Sequence, residues 1–377
     1  MSSGLIIAFA LFAAALVQAL VIAAWRTAIA RPMEQTGASV DEAPAITVVV
    51  PARDEERGIA ELLQDLHAQS LPKPRYEVIV VDDGSSDRTM EIAEAMRARW
   101  PELRVLRNSG EGKKAAITTG VGAAAHEVIV LTDADARCGP GRLGAIAAAT
   151  HSQAADLLVL PVLTTGHGLL GALQSAEQAA LLGMSMGSAL NGMPTLAYGA
   201  NLAFRRAAFH EVGGYGNDRF ASGDDLFLLR RMQSHGKRVG ALLSPEVLVT
   251  TEAVSTWGAF FAQRLRWAGK MRGAIGAMSL LGALGFALPW VLLWFTLRFD
   301  VVASMGHNGF YQLLLLASAW LLWLLLPLGL VRDVQRALGV QGRAVTHLLA
   351  LIAFSLYAPL IAVLSLVVRT AWKGRRV

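Results

Sequence analysis

The sequence has a single cysteine, Cys138, so no disulfide can close within the chain, and no Cys/His spacing suited to zinc occurs. That usage fits a reducing compartment. Two phosphate-binding signatures are also missing. No G-x-G-x-x-G follows the first strand-like run, and Gly112-Lys113 lacks both the upstream glycine and the trailing Ser/Thr of a P-loop. Dinucleotide dehydrogenases and P-loop NTPases are thereby demoted. Charge is scarce: 17% of the 377 residues are charged against 54% hydrophobic. The chain is too apolar for an ordinary soluble enzyme and not apolar enough for a polytopic transporter, so it reads as part membrane, part globular.

The long apolar runs lie at the two ends. Leu5 to Trp25 carries no charge and has about the ~20 residues that cross a bilayer. No Lys or Arg precedes it, as a secretory signal would require, so residues 1–26 are expected to be a retained anchor. Arg26 and Arg31 follow, which by the positive-inside rule predicts an outside amino terminus and a cytoplasmic domain. A linker, 27–44, leads into that domain. Gly273 to Leu297, Tyr311 to Val331 and His347 to Val368 are three further expected spans in a region 273–377. Three spans would leave the basic tail outside, against the same rule. Pro289 and Pro359 offer places where a re-entrant or broken segment could return it. Basic residues flank the spans (Arg26, Arg31, Lys270, Arg272, Arg369), so anionic lipid explains the +5 net charge better than nucleic acid does. The expected location is a bacterial inner membrane.

Between the ends, 45–272 has the punctuation of a globular α/β domain. Ile46 to Val50 reads as a strand stopped by Pro51, with Arg53, Asp54 and Glu55 at its carboxyl edge. Glu55 to Gln69 has a helical apolar period. Tyr76 to Val81 is a second strand ending in Asp82, Asp83 and a Gly84-Ser85 turn, Leu103 to Arg107 a third, and Gly112 to Ala125 a helix opened by Lys113 and Lys114. The β-α alternation with continuous apolar strands predicts a mostly parallel sheet flanked by helices.

Val128 to Asp135 (VIVLTDAD) is a buried strand ending in two aspartates one residue apart, where open α/β sheets bind ligands. Paired carboxylates repel unless a cation lies between them, which points to magnesium or manganese shared with a phosphorylated substrate; an isolated copy could equally be a plain turn. Gly168 to Leu190 is an apolar helix carrying Gln174, Glu177 and Gln178, either a membrane-surface or acceptor-facing element or plain core. Asp224 and Asp225 open a later helix, where acidic residues also simply favour the dipole. Gln263 to Trp267 (QRLRW) precedes the first carboxyl-terminal span, where Arg and Trp alone could be interface anchors.

In this order, VPARDE, VVDDGSSD, LTDADA, SGDD and QRLRW resemble the inverting nucleotide-sugar glycosyltransferases of family 2, in their membrane-bound branch of cellulose, hyaluronan and poly-N-acetylglucosamine synthases and ceramide glucosyltransferase. The resemblance implies a GT-A fold over roughly Ile46 to Lys270. It implies that Pro51, Arg53, Glu55, Asp83 and Lys113 line the nucleotide side and that Asp133 and Asp135 contact donor and metal, with Asp135 the main metal ligand. Asp225, with Asp224 beside it, would be the general base. Arg266 would face the diphosphate, while Gln263, Arg264 and Trp267 would belong to the acceptor-side box. The implied partners are a UDP- or GDP-linked donor and a lipid or glycan acceptor. Transfer to a membrane lipid is favoured over a processive polysaccharide synthase, since polymer exporters usually have more spans. A nucleotidyltransferase would have no reason to carry QRLRW beside a span, and a non-catalytic membrane scaffold would be expected to have lost Asp225 or the paired aspartates.

Overall fold

A computed structural model describes residues 3–32, 43–216, 224–270, 277–298, 307–368, 371–372 and 375–376. Most of the expected linker, Ser222-Gly223, the side chain of Asp224 and the first residues of the span expected from Gly273 lie outside the described residues.

The amino-terminal apolar run forms α1 (Ser3–Ala30). Then follow β1 (Ile46–Ala52), α2 (Ile59–His67), β2 (Tyr76–Asp82), α3 (Thr89–Arg97), β3 (Leu103–Arg107), α4 (Lys113–Ala123) and β4 (Val128–Leu131). Next come β5 (Arg137–Cys138), α5 (Arg142–Ser152), β6 (Leu157–Val159), β7 (Val162–Thr165), α6 (Gly168–Leu190), β8 (Leu202–Arg205) and α7 (Arg206–Glu211). The globular part closes with α8 (Asp224–Ser234), β9 (Val239–Ala241), β10 (Val249–Glu252) and α9 (Trp257–Lys270).

A seven-stranded sheet runs β3-β2-β1-β4-β8-β6-β9. Its first four strands are parallel, as the β-α rhythm predicts, while β8 lies antiparallel to both β4 and β6. A smaller sheet, β5-β10-β7, sits beside it. Alternation along the strands divides the core. Val48, Val50, Val78, Val80 and Val130 pack with the α2 leucines on one face, and Val49, Ile129 and Leu131 pack with Phe204 and Met186 on the other. Each such fully buried side chain contributes about 1.5–3 kcal/mol.

The α2 helix starts at Ile59 rather than Glu55. The backbone amides of Asp54, Glu55 and Glu56 donate instead to side chains of the β2–α3 loop and of the first residue of α3: Ser85 Oγ (3.0 Å), Thr89 Oγ1 (2.7 Å) and Asp87 Oδ2 (3.0 Å). Asp54 also takes a left-handed backbone, φ 50°, which a helix cannot continue through. Asx- and hydroxyl-capped loops thus override the helical pattern.

At the carboxyl end lie α10 (Ala277–Leu297), α11 (His307–Ala337) and α12 (Ala344–Val367). Among the described residues, three helical segments are long and apolar enough to cross a membrane, Ser3–Ala30, Asn308–Ala337 and Ala344–Val367, and α10 adds a shorter apolar stretch, Gly282–Leu297. Pro289 and Pro359 lie inside continuous helices, so neither opens the break considered from the sequence. Gly4 meets Gln312 near one end of α1, and Arg26 pairs with Asp333 (2.6 Å) near the other, so α1 and α11 run side by side in the same direction. A Cβ at Gly329 would collide with the Arg26 guanidinium; the glycine makes room for that ion pair.

Of the two readings of α6, core is what the structure has. Gln174, Glu177 and Gln178 are buried, and α6 packs against α1, α11, α12 and β7. Cβ atoms at Gly183 and Gly187 would collide with Leu330 and Trp25. The helix therefore joins the sheet domain to the apolar helices.

Candidate active site

The carboxyl edge of the parallel strands gathers the acidic loops. Val49 O accepts from Thr132 N on the β4 side, and Pro51 faces the same side two residues later, beyond the end of β4, where its missing N–H leaves no rung unmade. Arg53 Nη1 donates to Asp83 O (3.3 Å) and stands 3.7 Å from Asp83 Oδ2. Asp83 is buried, and its Oδ1 accepts from Asn108 Nδ2 (2.6 Å) and Gly112 N (2.9 Å). One carboxylate thus ties the ends of β1, β2 and β3 to the start of α4. Gly112 has φ 90°, a conformation that a side chain would strain. Glu55 is half-buried beside this group, with its amide on Thr89.

Lys113 begins α4, and its Nζ stands 2.7 Å from Asp133 Oδ1. Gly120, where a Cβ would meet Val49 at 2.5 Å, lets α4 sit directly on β1 and so aims its first turn at β4. Strand alternation does not present the two aspartates. β4 ends at Leu131, and Asp133 to Ala136 form a turn in which Ala136 N donates to Asp133 O (3.1 Å). Asp133 is half-buried against Lys113; Asp135 is exposed. A Cβ at Gly58 would lie 3.0 Å from Asp135 Cα, so the loop before α2 supports this turn by backbone contact. Among the described residues no group of three or more His, Cys, Asp or Glu could hold a metal alone. Two hard carboxylates at an open edge fit a divalent ion that takes its other oxygens from a diphosphate and water.

Asp225 lies in the first turn of α8. Its Oδ2 accepts from Gly199 N (3.1 Å) and its Oδ1 from Leu226 N (2.8 Å). Burial, and then the charge of Asp225, push the neighbouring Tyr198 phenol above its usual range. Asp224 heads α8. Lys114 Nζ lies 5.1 Å from the centre of the Phe227 ring, which joins α4 to α8 across the cleft.

The last landmark lies on α9, where helical spacing turns its two arginines apart. Arg266 is half-buried; desolvation lowers its pKa, while the nearby charge of Asp133 opposes that shift. Arg264 instead forms a buried ion pair with Glu177 of α6 (2.5 Å), with only 6% and 7% of the two side chains exposed. Its guanidinium stacks 4.3 Å from the Phe260 ring centre and 4.5 Å from that of Trp267, and it donates to Gln263 Oε1. Arg264 therefore anchors α9, and Trp267 and Gln263 are held through it. A small apolar cavity of about 30 Å³ lies beside this pair, lined by Leu170, Leu173, Trp257, Phe260, Ala353 and Tyr357 among others.

Residues that the sequence did not single out complete the site. Asn108 follows a strand end, a position that signals a loop but not its partner. Thr132, Arg142 and Asn201 form a buried polar group behind the aspartate turn, and nothing in the sequence marks a lone arginine after Gly-Pro-Gly as buried.

The profile described as "Glycosyltransferase like family 2" matches residues 44–270. Among characterised sequences, beta-monoglucosyldiacylglycerol synthase of Synechocystis is 29% identical over 244 residues, covering 63% of this chain and 50% of that protein. Poly-beta-1,6-N-acetyl-D-glucosamine synthase of Staphylococcus aureus is 24% identical over 244 residues, 61% of this chain and 55% of that one. The chain thus spans about half the length of the curated relatives it matches. Among solved structures, a mannosyltransferase of Pyrobaculum calidifontis, in complex with GDP-mannose and Mn2+, superposes with a TM-score of 0.58 at 22% identity, over 94% of this chain and 99% of that one. That likeness establishes the GT-A fold.

Proposed function

The chain belongs to glycosyltransferase-like family 2, and from that membership we propose that it transfers a sugar from a nucleoside diphosphate sugar to a hydroxyl of a membrane lipid or lipid-linked acceptor, with inversion at the anomeric carbon and with magnesium or manganese. The observation that carries this reading is the convergence on Asp133: Lys113 pairs with it, and Arg266 lies within its electrostatic reach. Two cations near a half-buried Asp133 and an exposed Asp135 suit a diphosphate leaving group.

A divalent ion bound by Asp135 and Asp133 would supply Lewis-acid stabilisation to that leaving group. The chain's own residues do the rest. Asp83 and Arg53 order the nucleotide side, and Arg266 stabilises charge as the glycosidic bond breaks. Asp225, its carboxylate oriented by Gly199 N and Leu226 N, takes the proton of the acceptor hydroxyl. One base and in-line attack give inversion. Of the two named relatives, one is named for synthesis of a glucosylated diacylglycerol and the other for synthesis of a polysaccharide. Arg26, Arg332 and Arg336 cluster at the domain end of α1 and α11, which supports a cytoplasmic active site.

The test is nucleoside diphosphate release by the detergent-solubilised chain from a panel of UDP- and GDP-sugars with Mg2+ or Mn2+, with Asp225→Asn in parallel. Release by the wild type and its loss in the variant are expected. Full activity of Asp225→Asn would sink the base assignment, and mass analysis of the lipid extract separates one added sugar from a polymer.

A further inference from the structure

Arg142, the first residue of α5, is 0% exposed, and among the described residues no carboxylate forms an ion pair with it. Burial lowers its pKa, but an arginine stays cationic, so this is a buried charge stabilised only by neutral acceptors. Most of those acceptors lie at one place. Nη2 donates to Thr132 Oγ1 (2.8 Å), Asn201 Oδ1 (2.9 Å) and Leu131 O (3.4 Å), Nε donates to the same Oδ1 (3.2 Å), and the Cys138 thiol lies close enough to interact with the guanidinium.

The place is where the β4–β8 ladder stops. Leu131 opposite Leu202 is the last rung. One residue further, the chains are Thr132, which leads into Asp133, and Asn201, which ends the turn holding the base. Asn201 is itself fixed by Nδ2 donation to Pro161 O (2.8 Å) and Val247 O (2.7 Å), and its amide closes on Tyr198 O (3.0 Å). Inside that turn, Gly199 N donates to Asp225 Oδ2 (3.1 Å). A continuous set of bonds therefore runs from the donor aspartates, through Thr132, Arg142, Asn201 and Gly199, to Asp225.

We propose that Arg142 is a positioning residue that holds the aspartate turn and the Asp225-bearing edge in register where the sheet ladder ends, without touching substrate. This rests on the reading of Asp133/Asp135 and Asp225 as the donor and acceptor halves of one transferase site. The donor half has its own supports, Asp83 and Lys113, so losing Arg142 leaves nucleotide binding in place and misplaces the base relative to it.

The test uses the full chain in detergent, with Arg142→Met, Arg142→Lys and Thr132→Val. Mn2+-dependent binding of UDP and GDP is measured by calorimetry alongside sugar transfer. Thr132→Val removes one acceptor from a small side chain and guards against a folding failure of the arginine variants. The expected result is nucleotide binding close to wild type with transfer reduced by up to about 100-fold in Arg142→Met, the scale of a misplaced catalytic group. Arg142→Lys, which keeps the charge but not the fork, should fall between. Transfer per bound nucleotide equal to wild type in Arg142→Met or in Thr132→Val overturns the proposal, as does parallel loss of binding and transfer in both. A wild type that releases no nucleoside diphosphate from any donor overturns the transferase reading, and this proposal with it.

Discussion

Lys113 Nζ stands 2.7 Å from Asp133 Oδ1, so the first residue of α4 neutralises the first aspartate of the turn after β4. Both side chains are partly exposed, which leaves them within reach of a ligand. Lys113→Met should therefore lower kcat/KM for the donor by about tenfold, equivalent to about 1.4 kcal/mol, with an unchanged melting temperature. Donor titrations under initial-rate conditions decide it; an unchanged kcat/KM would show that the lysine only satisfies the aspartate.

Gly58 is the close neighbour of the same turn. Its φ of −110° suits any residue, but a Cβ there would stand 3.0 Å from Asp135 Cα and 3.3 Å from Ala134 O. Backbone atoms give way less readily than the tip of a side chain. Gly58→Val should weaken the activating effect of Mn2+, read as a higher half-saturating concentration, while α2 stays helical by circular dichroism. An unaltered metal dependence would remove Gly58 from the site.

The Arg264–Glu177 pair makes the opposite kind of prediction, about stability. Removing one partner of a buried ion pair costs about 3–5 kcal/mol, whereas replacing both by apolar groups of similar volume is often neutral. Arg264→Ala should lower the melting temperature in detergent strongly, and Arg264→Met with Glu177→Leu should recover most of it. If the double variant melts no higher than the single one, the pair contributes more than mutual neutralisation.

The loops after β1 and β2 predict a pH dependence. The Ser86 amide and hydroxyl hold the Asp54 carboxyl below its usual value. Burial pushes Asp87 up, but the Thr89 hydroxyl and the Glu56 and Thr89 amides outweigh it, and its pKa is lowered too. Depressed carboxyls stabilise the fold fully above the unfolded value, 3.8, and lose that contribution as pH falls through their lower folded values. Loop order, followed by hydrogen exchange of the Asp54 and Glu56 amides, should hold at pH 5 and fail only in the acid limb. Ser86→Ala should move that limb upward.

Most of the sheet was legible in the residues because strands buried on both faces must be continuously apolar. β3 and α6 have the boundaries that their patterns predict, and β1 and β2 differ only at the carboxyl end. The beginning of α2 was not legible. Its apolar positions, Ile59, Leu62, Leu63 and Leu66, are buried as the helical period requires, but the amides before it are taken by Ser85, Asp87 and Thr89, more than twenty residues away. The antiparallel insertion of β8 was hidden for a similar reason, since a short apolar strand reads the same in either direction.

By itself, the order of acidic and basic landmarks determined the family, the fold class and which residues crowd the sheet edge, because strand ends and helix starts are local properties of composition and period. Only the tertiary structure decided how those residues divide. It turned Arg264 to Glu177, brought Arg266 within the electrostatic influence of Asp133, set Lys113 on Asp133, and placed Arg142 behind the aspartate turn. Partners for a buried charge come from elements far apart in the chain, and no local pattern contains them.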